Sequence, residues 1–161
     1  MFDKKDFSPI YAPVSGKVIA LSDLVDPIFA GKVVGDGVAI VPGEGEFVSP
    51  ISGVVSFVAD TGHSFGITGF DGVEVLVHIG INTVKLNGQC FHPLVKKGDV
   101  LEAGQPLCTA DLADIIKKGF DTTTPVVITS NTIESVKRLV LRTGFCQAGK
   151  SVCMKYIQDK K

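Results

Sequence analysis

The chain has 161 residues, 45% of them hydrophobic, with 18 Gly, 8 Pro and a formal net charge of -1 at pH 7. That is enough apolar material for one domain with a hydrophobic core, taken as residues 1–161, and too much for a disordered chain. Acidic and basic residues are interspersed, which excludes the basic face of a nucleic-acid binder, and no apolar run has the length of a membrane-spanning helix. The N-terminal MFDKKDF lacks the apolar core of a secretory signal, so the expected compartment is the cytoplasm.

Short Val- and Ile-rich runs punctuated by Gly and Pro predict an all-β sandwich or barrel. Pro13-Val14-Ser15-Gly16-Lys17-Val18-Ile19 is echoed by Pro50-Ile51-Ser52-Gly53-Val54-Val55-Ser56. The echo predicts a duplicated β motif, each copy entered through a tight Ser-Gly turn. A strand is predicted at residues 38–41, after a turn at Gly35-Asp36-Gly37, and another at 65–68, leading into a hairpin connection at Gly69-Phe70-Asp71-Gly72. The next strand covers residues 72–81. Further strand material is read at 94–100, broken by a turn at Lys96-Lys97-Gly98-Asp99, and at 106–110 and 124–129. Residues 111–119 read as a helix, with Asp111 as cap, lysines in the last turn and Gly119 as stop. Residues 131–142 combine a capped helical turn with alternation, so a turn leading into a strand is predicted.

The four cysteines, Cys90, Cys108, Cys146 and Cys153, have irregular spacing and no CxxC pair, and are expected to be free thiols. Of the three histidines, His78 lies within Gly72-Val73-Glu74-Val75-Leu76-Val77-His78-Ile79-Gly80-Ile81. With period two, Val73, Val75, Val77, Ile79 and Ile81 form a core face. His78 then falls on the opposite face beside Leu76 and Gly80, reachable from solvent or from a shallow apolar depression. By itself this spacing favours a surface histidine with no task over a working one. His63 sits in the polar loop Asp60-Thr61-Gly62-His63-Ser64-Phe65, and a hairpin folding back through residues 69–72 brings it towards His78. Such a pair suits zinc, acid–base chemistry, or a phosphoryl acceptor with a supporting donor, because neutral imidazole with a pKa near ~6.5 keeps a free lone pair. His92, before Pro93, is read as having no task.

Several short motifs, in order, resemble one family: Asp26-Pro27-Ile28-Phe29, Gly35-Asp36-Gly37-Val38-Ala39-Ile40, Ser49-Pro50-Ile51-Ser52-Gly53, Thr61-Gly62-His63-Ser64-Phe65, Val77-His78-Ile79-Gly80-Ile81-Asn82-Thr83-Val84 and Thr124-Pro125-Val126-Val127-Ile128. Together they resemble the glucose-class enzyme IIA of the bacterial phosphoenolpyruvate-dependent sugar phosphotransferase system, most firmly over residues 26–130. The resemblance implies an antiparallel β-sandwich built on a duplicated hybrid motif, with one or two short helices. It implies a phosphocarrier in which His78 accepts a phosphoryl group from phosphorylated HPr and passes it to a cysteine on the IIB domain of a membrane sugar permease. It implies that His63 supports the phosphoryl group, that Thr61 hydrogen-bonds near the pair, and that Phe29 and Val34 lie near the site, where with Leu76, placed on that face by alternation, they are expected to form an apolar partner surface.

The resemblance implies no required cofactor. Zinc enters only at a partner interface, with His63 and His78 as ligands, and some relatives also regulate metabolic enzymes or permeases. Gly62 stands where relatives often have Asn, and only Phe2 and Phe7 hint at a membrane-touching tail. A chain without permease domains is expected to be a diffusible carrier. The rival readings fit less well. The chain lacks the H-x-H pair that a zinc peptidase needs, and neither Met1 nor Met154 lies near Lys96 or Lys97, where a biotinyl or lipoyl carrier commonly has a Met beside its modified lysine. A plain interaction module would not depend on phosphorylation of His78.

Overall fold

The computed structural model describes residues 6–159; Phe2 lies outside them. In chain order the strands are β1 (Ser8–Tyr11), β2 (Gly16–Ala20), β3 (Gly35–Pro42), β4 (Glu46–Val48), β5 (Gly53–Val58), β6 (Ser64–Gly69) and β7 (Glu74–His78). They continue as β8 (Phe91–Pro93), β9 (Val100–Leu101), β10 (Pro106–Ala110), β11 (Thr124–Thr129), β12 (Val136–Leu141), β13 (Gly144–Cys146) and β14 (Val152–Gln158). Two short α-helices, α1 (Pro27–Ala30) and α2 (Leu112–Lys117), and brief 3-10 turns interrupt them. Every strand pairing is antiparallel.

The largest sheet has the order β13-β2-β3-β11-β7-β6-β5-β9, and two three-stranded sheets, β1-β14-β12 and β4-β10-β8, complete the fold. The order mirrors itself about the β11–β7 seam. β2 and β5, the two strands of the sequence echo, each stand third from that seam, each with one more strand outside. The duplicated motif is therefore visible as paired positions in one sheet. In both copies the Ser-Gly step opens a strand, and the Gly is there for close approach. A Cβ on Gly16 would run into the Val41 carbonyl oxygen, and one on Gly53 into that of Thr68.

The core lies on one face of the large sheet. Val55, Ile67, Val75, Val77, Val126 and Ile128 meet Ile10, Met154 and Tyr156 from β1 and β14, and Phe47 and Leu107 from β4 and β10. Burying each of these side chains is worth roughly 1.5–3 kcal/mol. A second, smaller cluster covers part of the opposite face: Leu21, Ala39 and Val127, with Ile19, Leu24, Val34 and Leu76 packed against them. Alternation along β7 assigns the faces as expected for Val73, Val75, Val77 and Ile79, buried, and Glu74, Leu76 and His78, half-buried opposite; the strand ends at His78, short of the expected residue 81, and after the left-handed Gly80 the pattern breaks, with Gly80 buried and Ile81 half-buried.

Other expectations hold with adjustments. β10 and β11 match residues 106–110 and 124–129, and α2 is capped by the Asp111 carboxylate, which accepts from the Asp114 N–H at 3.1 Å. Residues 131–142 form a 3-10 turn (Ile133–Ser135) and then β12. Gly35-Asp36-Gly37 is the start of β3 and not a turn. The expected turn at residues 96–99 is present, closed by the Asp99 carboxylate, which takes the Lys96 N–H at 2.9 Å, but of the strand material expected around it only Val100 enters a strand, β9. All four cysteines are free. Among the described residues no helix is long and apolar enough to cross a membrane.

Candidate functional site

Pairing of β6 with β7 sets Ser64 opposite His78, and the Ile79 N–H donates to the His63 carbonyl at 2.7 Å. His63, just before β6, is thereby carried alongside His78 at the end of β7. The two rings meet edge to face, 4.8 Å between centroids and 82° between planes. His63 is buried, at 6% exposure, with Phe91 behind it at 6.2 Å between ring centroids. Gly62 has φ +71, and a Cβ there would sit 2.8 Å from Pro93 Cγ, so in this chain the position calls for Gly.

Each ring is fixed through Nδ1. His78 Nδ1 lies 2.7 Å from the Gly80 carbonyl oxygen, which can only accept; Nδ1 therefore carries the proton, and the Nε2 lone pair is free. His63 Nδ1 lies 2.6 Å from the Thr61 hydroxyl. Gly80 has φ +81, and a Cβ there would sit 2.9 Å from the Asp121 carbonyl oxygen. The Thr83 hydroxyl donates to the Ile79 carbonyl at 2.6 Å and secures the same bend. Burial, reinforced by the neighbouring His78, lowers the His63 pKa to about 4. Burial also lowers that of His78, against the opposing pull of the Gly80 hydrogen bond and the Asp26 carboxylate. Both rings are thus neutral near pH 7.

His78 opens onto a mostly apolar depression of about 240 Å³ that includes Phe29, Val34 and Leu76. Phe29 reaches it from α1, whose first turn is built by Asp26 and Pro27. The Asp26 carboxylate accepts from the Ile28 N–H at 2.8 Å, and Pro27 needs no partner at this position. The Phe29 ring lies 5.0 Å from that of His78. Ile28 and Val84, each 51% exposed, rim the depression, and Val25 beside α1 is 99% exposed. An exposed apolar collar around a neutral nucleophilic ring is suited to a protein partner.

The fold has counterparts among known proteins. The family model described as "phosphoenolpyruvate-dependent sugar phosphotransferase system, EIIA 1" matches residues 8–133. The chain belongs to this family. It is 41% identical over 145 residues to the glucoside-specific EIICBA component of the phosphotransferase system of Staphylococcus carnosus (strain TM300), covering 90% of this chain and 21% of that protein. It is 47% identical over 122 residues to the glucose-specific EIICBA component of the same organism, covering 75% of this chain and 18% of that protein. The chain thus spans about a fifth of the length of these relatives. Among solved structures, glucose permease IIA from Mycoplasma capricolum superposes with a TM-score of 0.85 at 32% identity, covering 96% of this chain and 99% of that one.

In this enzyme IIA chain the structure brings together His78, His63, Thr61, Phe29, Val34 and Leu76, all six residues singled out in the sequence. His92 stays apart, exposed on β8. Sequence reasoning missed the Gly80 carbonyl, Asp26 and Asn82. An Asp-Pro pair is a recognisable helix start and signals Asp26. A backbone acceptor such as Gly80 leaves no side-chain signature, although the Gly after the His-Ile step marks an unusual backbone.

Proposed function

We propose that this chain is a cytoplasmic phosphocarrier of the sugar phosphotransferase system that takes a phosphoryl group onto His78 Nε2 from phosphorylated HPr and delivers it to the IIB domain of a glucose-type permease. The observation that carries this reading is the fixed tautomer of His78: Nδ1–H bound to the Gly80 carbonyl, Nε2 unprotonated beside His63. The Nε2 lone pair attacks phosphorus while the N–P bond to the HPr imidazole breaks. The departing imidazole nitrogen keeps the electron pair and takes a proton from solvent. The new phosphoimidazole retains Nδ1–H, and the Gly80 carbonyl stabilises the positive charge left on the ring. A cysteine thiolate of IIB then attacks phosphorus, an S–P bond forms, and His78 recovers its lone pair.

In this mechanism the Thr61 hydroxyl donates to His63 Nδ1, which leaves Nε2–H of His63 as a donor to the phosphoryl oxygens. Phe29, Val34 and Leu76 supply the apolar contact that both protein partners bury. The glucose-type sugar is proposed from the specificities of the relatives, and the joined A, B and C letters of their names support IIB as the receiver. Carriage itself needs no cofactor. Among the described residues no group of three or more His, Cys, Asp or Glu could hold a metal ion, so zinc at the histidine pair would need ligands from a partner, such as a regulated enzyme or permease.

A relay assay with phosphorylated HPr and purified IIB tests the reading. Wild type should carry the group through to IIB. His63→Gln should still be phosphorylated but transfer onward at least ~100-fold more slowly, the scale of removing one oriented donor. Equal onward transfer by His63→Gln would remove His63 from the mechanism, and no uptake by wild type would remove the reading itself.

A further inference from the structure

Resting on the phosphocarrier reading, we infer that the side-chain amide of Asn82 is a second hydrogen-bond donor to the phosphoryl group on His78. The polar residues that line the depression are Asp26, His78 and Asn82. A phosphoryl group brings three acceptor oxygens and close to two negative charges. The Asp26 carboxylate can only accept, carries like charge, and is held by the Ile28 N–H. The Gly80 carbonyl is an acceptor occupied by Nδ1 of His78, and the Thr61 hydroxyl is occupied by His63. The Asn82 amide is the neutral donor left in the lining.

Its placement is specific. Asn82 has φ 59 and ψ 19, the left-handed conformation, and its side chain makes no capping hydrogen bond to the following 3-10 turn (Thr83–Leu86). With Gly80 at φ +81, two left-handed residues turn the chain at the carbonyl that orients His78, and Asn82 lines the depression onto which His78 opens. Gly, Asn and Asp adopt this conformation most readily. Of the three, Gly offers no side chain and Asp would set a second carboxylate beside the phosphoryl group. Only Asn adds a donor without adding charge, and so offsets the repulsion from Asp26.

The test uses Asn82→Asp and Asn82→Gly, both compatible with the backbone. Phosphoryl partition between HPr and the chain is read by intact mass. Asn82→Asp should shift the equilibrium towards phosphorylated HPr by about tenfold or more, and Asn82→Gly by several-fold, as expected for one lost hydrogen bond to a charged group. Separately, phosphoramidate serves as a chemical donor that needs no HPr. Phosphorylation of His78 by it should move the Asn82 side-chain amide proton downfield in an ¹H–¹⁵N spectrum of wild type, with no such change in His78→Ala. If Asn82→Asp stays within twofold of wild type and the amide does not move, the inference is overturned while the carrier reading stands. If the amide moves with phosphoramidate but HPr never phosphorylates wild type, the carrier reading fails and Asn82 remains a phosphoryl donor.

Discussion

His63 and His78 are held neutral by burial, and this has a pH consequence at the level of single residues. With its pKa lowered to about 4, folded His63 binds fewer protons than the unfolded chain between pH 6.5 and about 4. Stability therefore rises with pH across that window; the contribution is fully present above pH 6.5 and is lost as pH falls towards 4. The lowered pKa of His78 adds in the same direction. Urea midpoints measured across this range should fall on acidification, and His63→Gln should flatten the slope. A slope unchanged in that variant would mean that His63 is not the buried neutral group described. At this scale the sequence was informative about side chains and silent about backbone. Alternation put His78 opposite the core face. The Gly80 carbonyl that sets the tautomer of His78 has no side chain to betray it, and Asn82 was one letter in a family motif until the fold turned it into the depression.

The element that shapes the site is α1, four residues long and dependent on its cap. Asp26→Ala should cost about 1 kcal/mol, the usual value of a lost N-cap, seen as a lower urea midpoint. The same change removes the carboxylate that raises the His78 pKa, so that pKa should fall further in an NMR titration. A rise would contradict the electrostatic role of Asp26. Strands with strict alternation or Pro-bounded apolar runs, such as β7, β10 and β11, were readable because one or both faces are buried. β3 began earlier than expected, since Gly35 and Gly37 resemble turn residues but serve close backbone approach to β11. Residues 94–99 are split by the turn at 96–99, which leaves short backbone contacts with strands at either end, among them the Leu94 N–H to the Leu107 carbonyl and the Gly98 N–H to the Val55 carbonyl, each at 2.8 Å.

Across the whole molecule, the Pro-x-Ser-Gly echo foretold duplication, but not that β11 would insert next to β7 at the centre of the sheet, because long-range pairing leaves no local trace. The two ends of the β6–β7 hairpin have different tasks. One end carries the histidines. The other is bolted to β14 through a short hydrogen bond from the Tyr156 hydroxyl to the Asp71 carboxylate and one from the Gln158 amide to the Asp71 carbonyl at 3.1 Å. Tyr156→Phe should lower stability by roughly 1.5–3 kcal/mol in urea unfolding while leaving phosphoryl uptake unchanged. Impaired uptake in a folded Tyr156→Phe protein would show that the two ends are coupled. The measurement that tests the central claim most directly is intact mass after incubation with phosphoenolpyruvate, enzyme I and HPr, for wild type and His78→Ala in parallel. The account predicts one acid-labile phosphoryl group on wild type and none on His78→Ala. An unmodified wild type with active donors, or equal modification of His78→Ala, would contradict it.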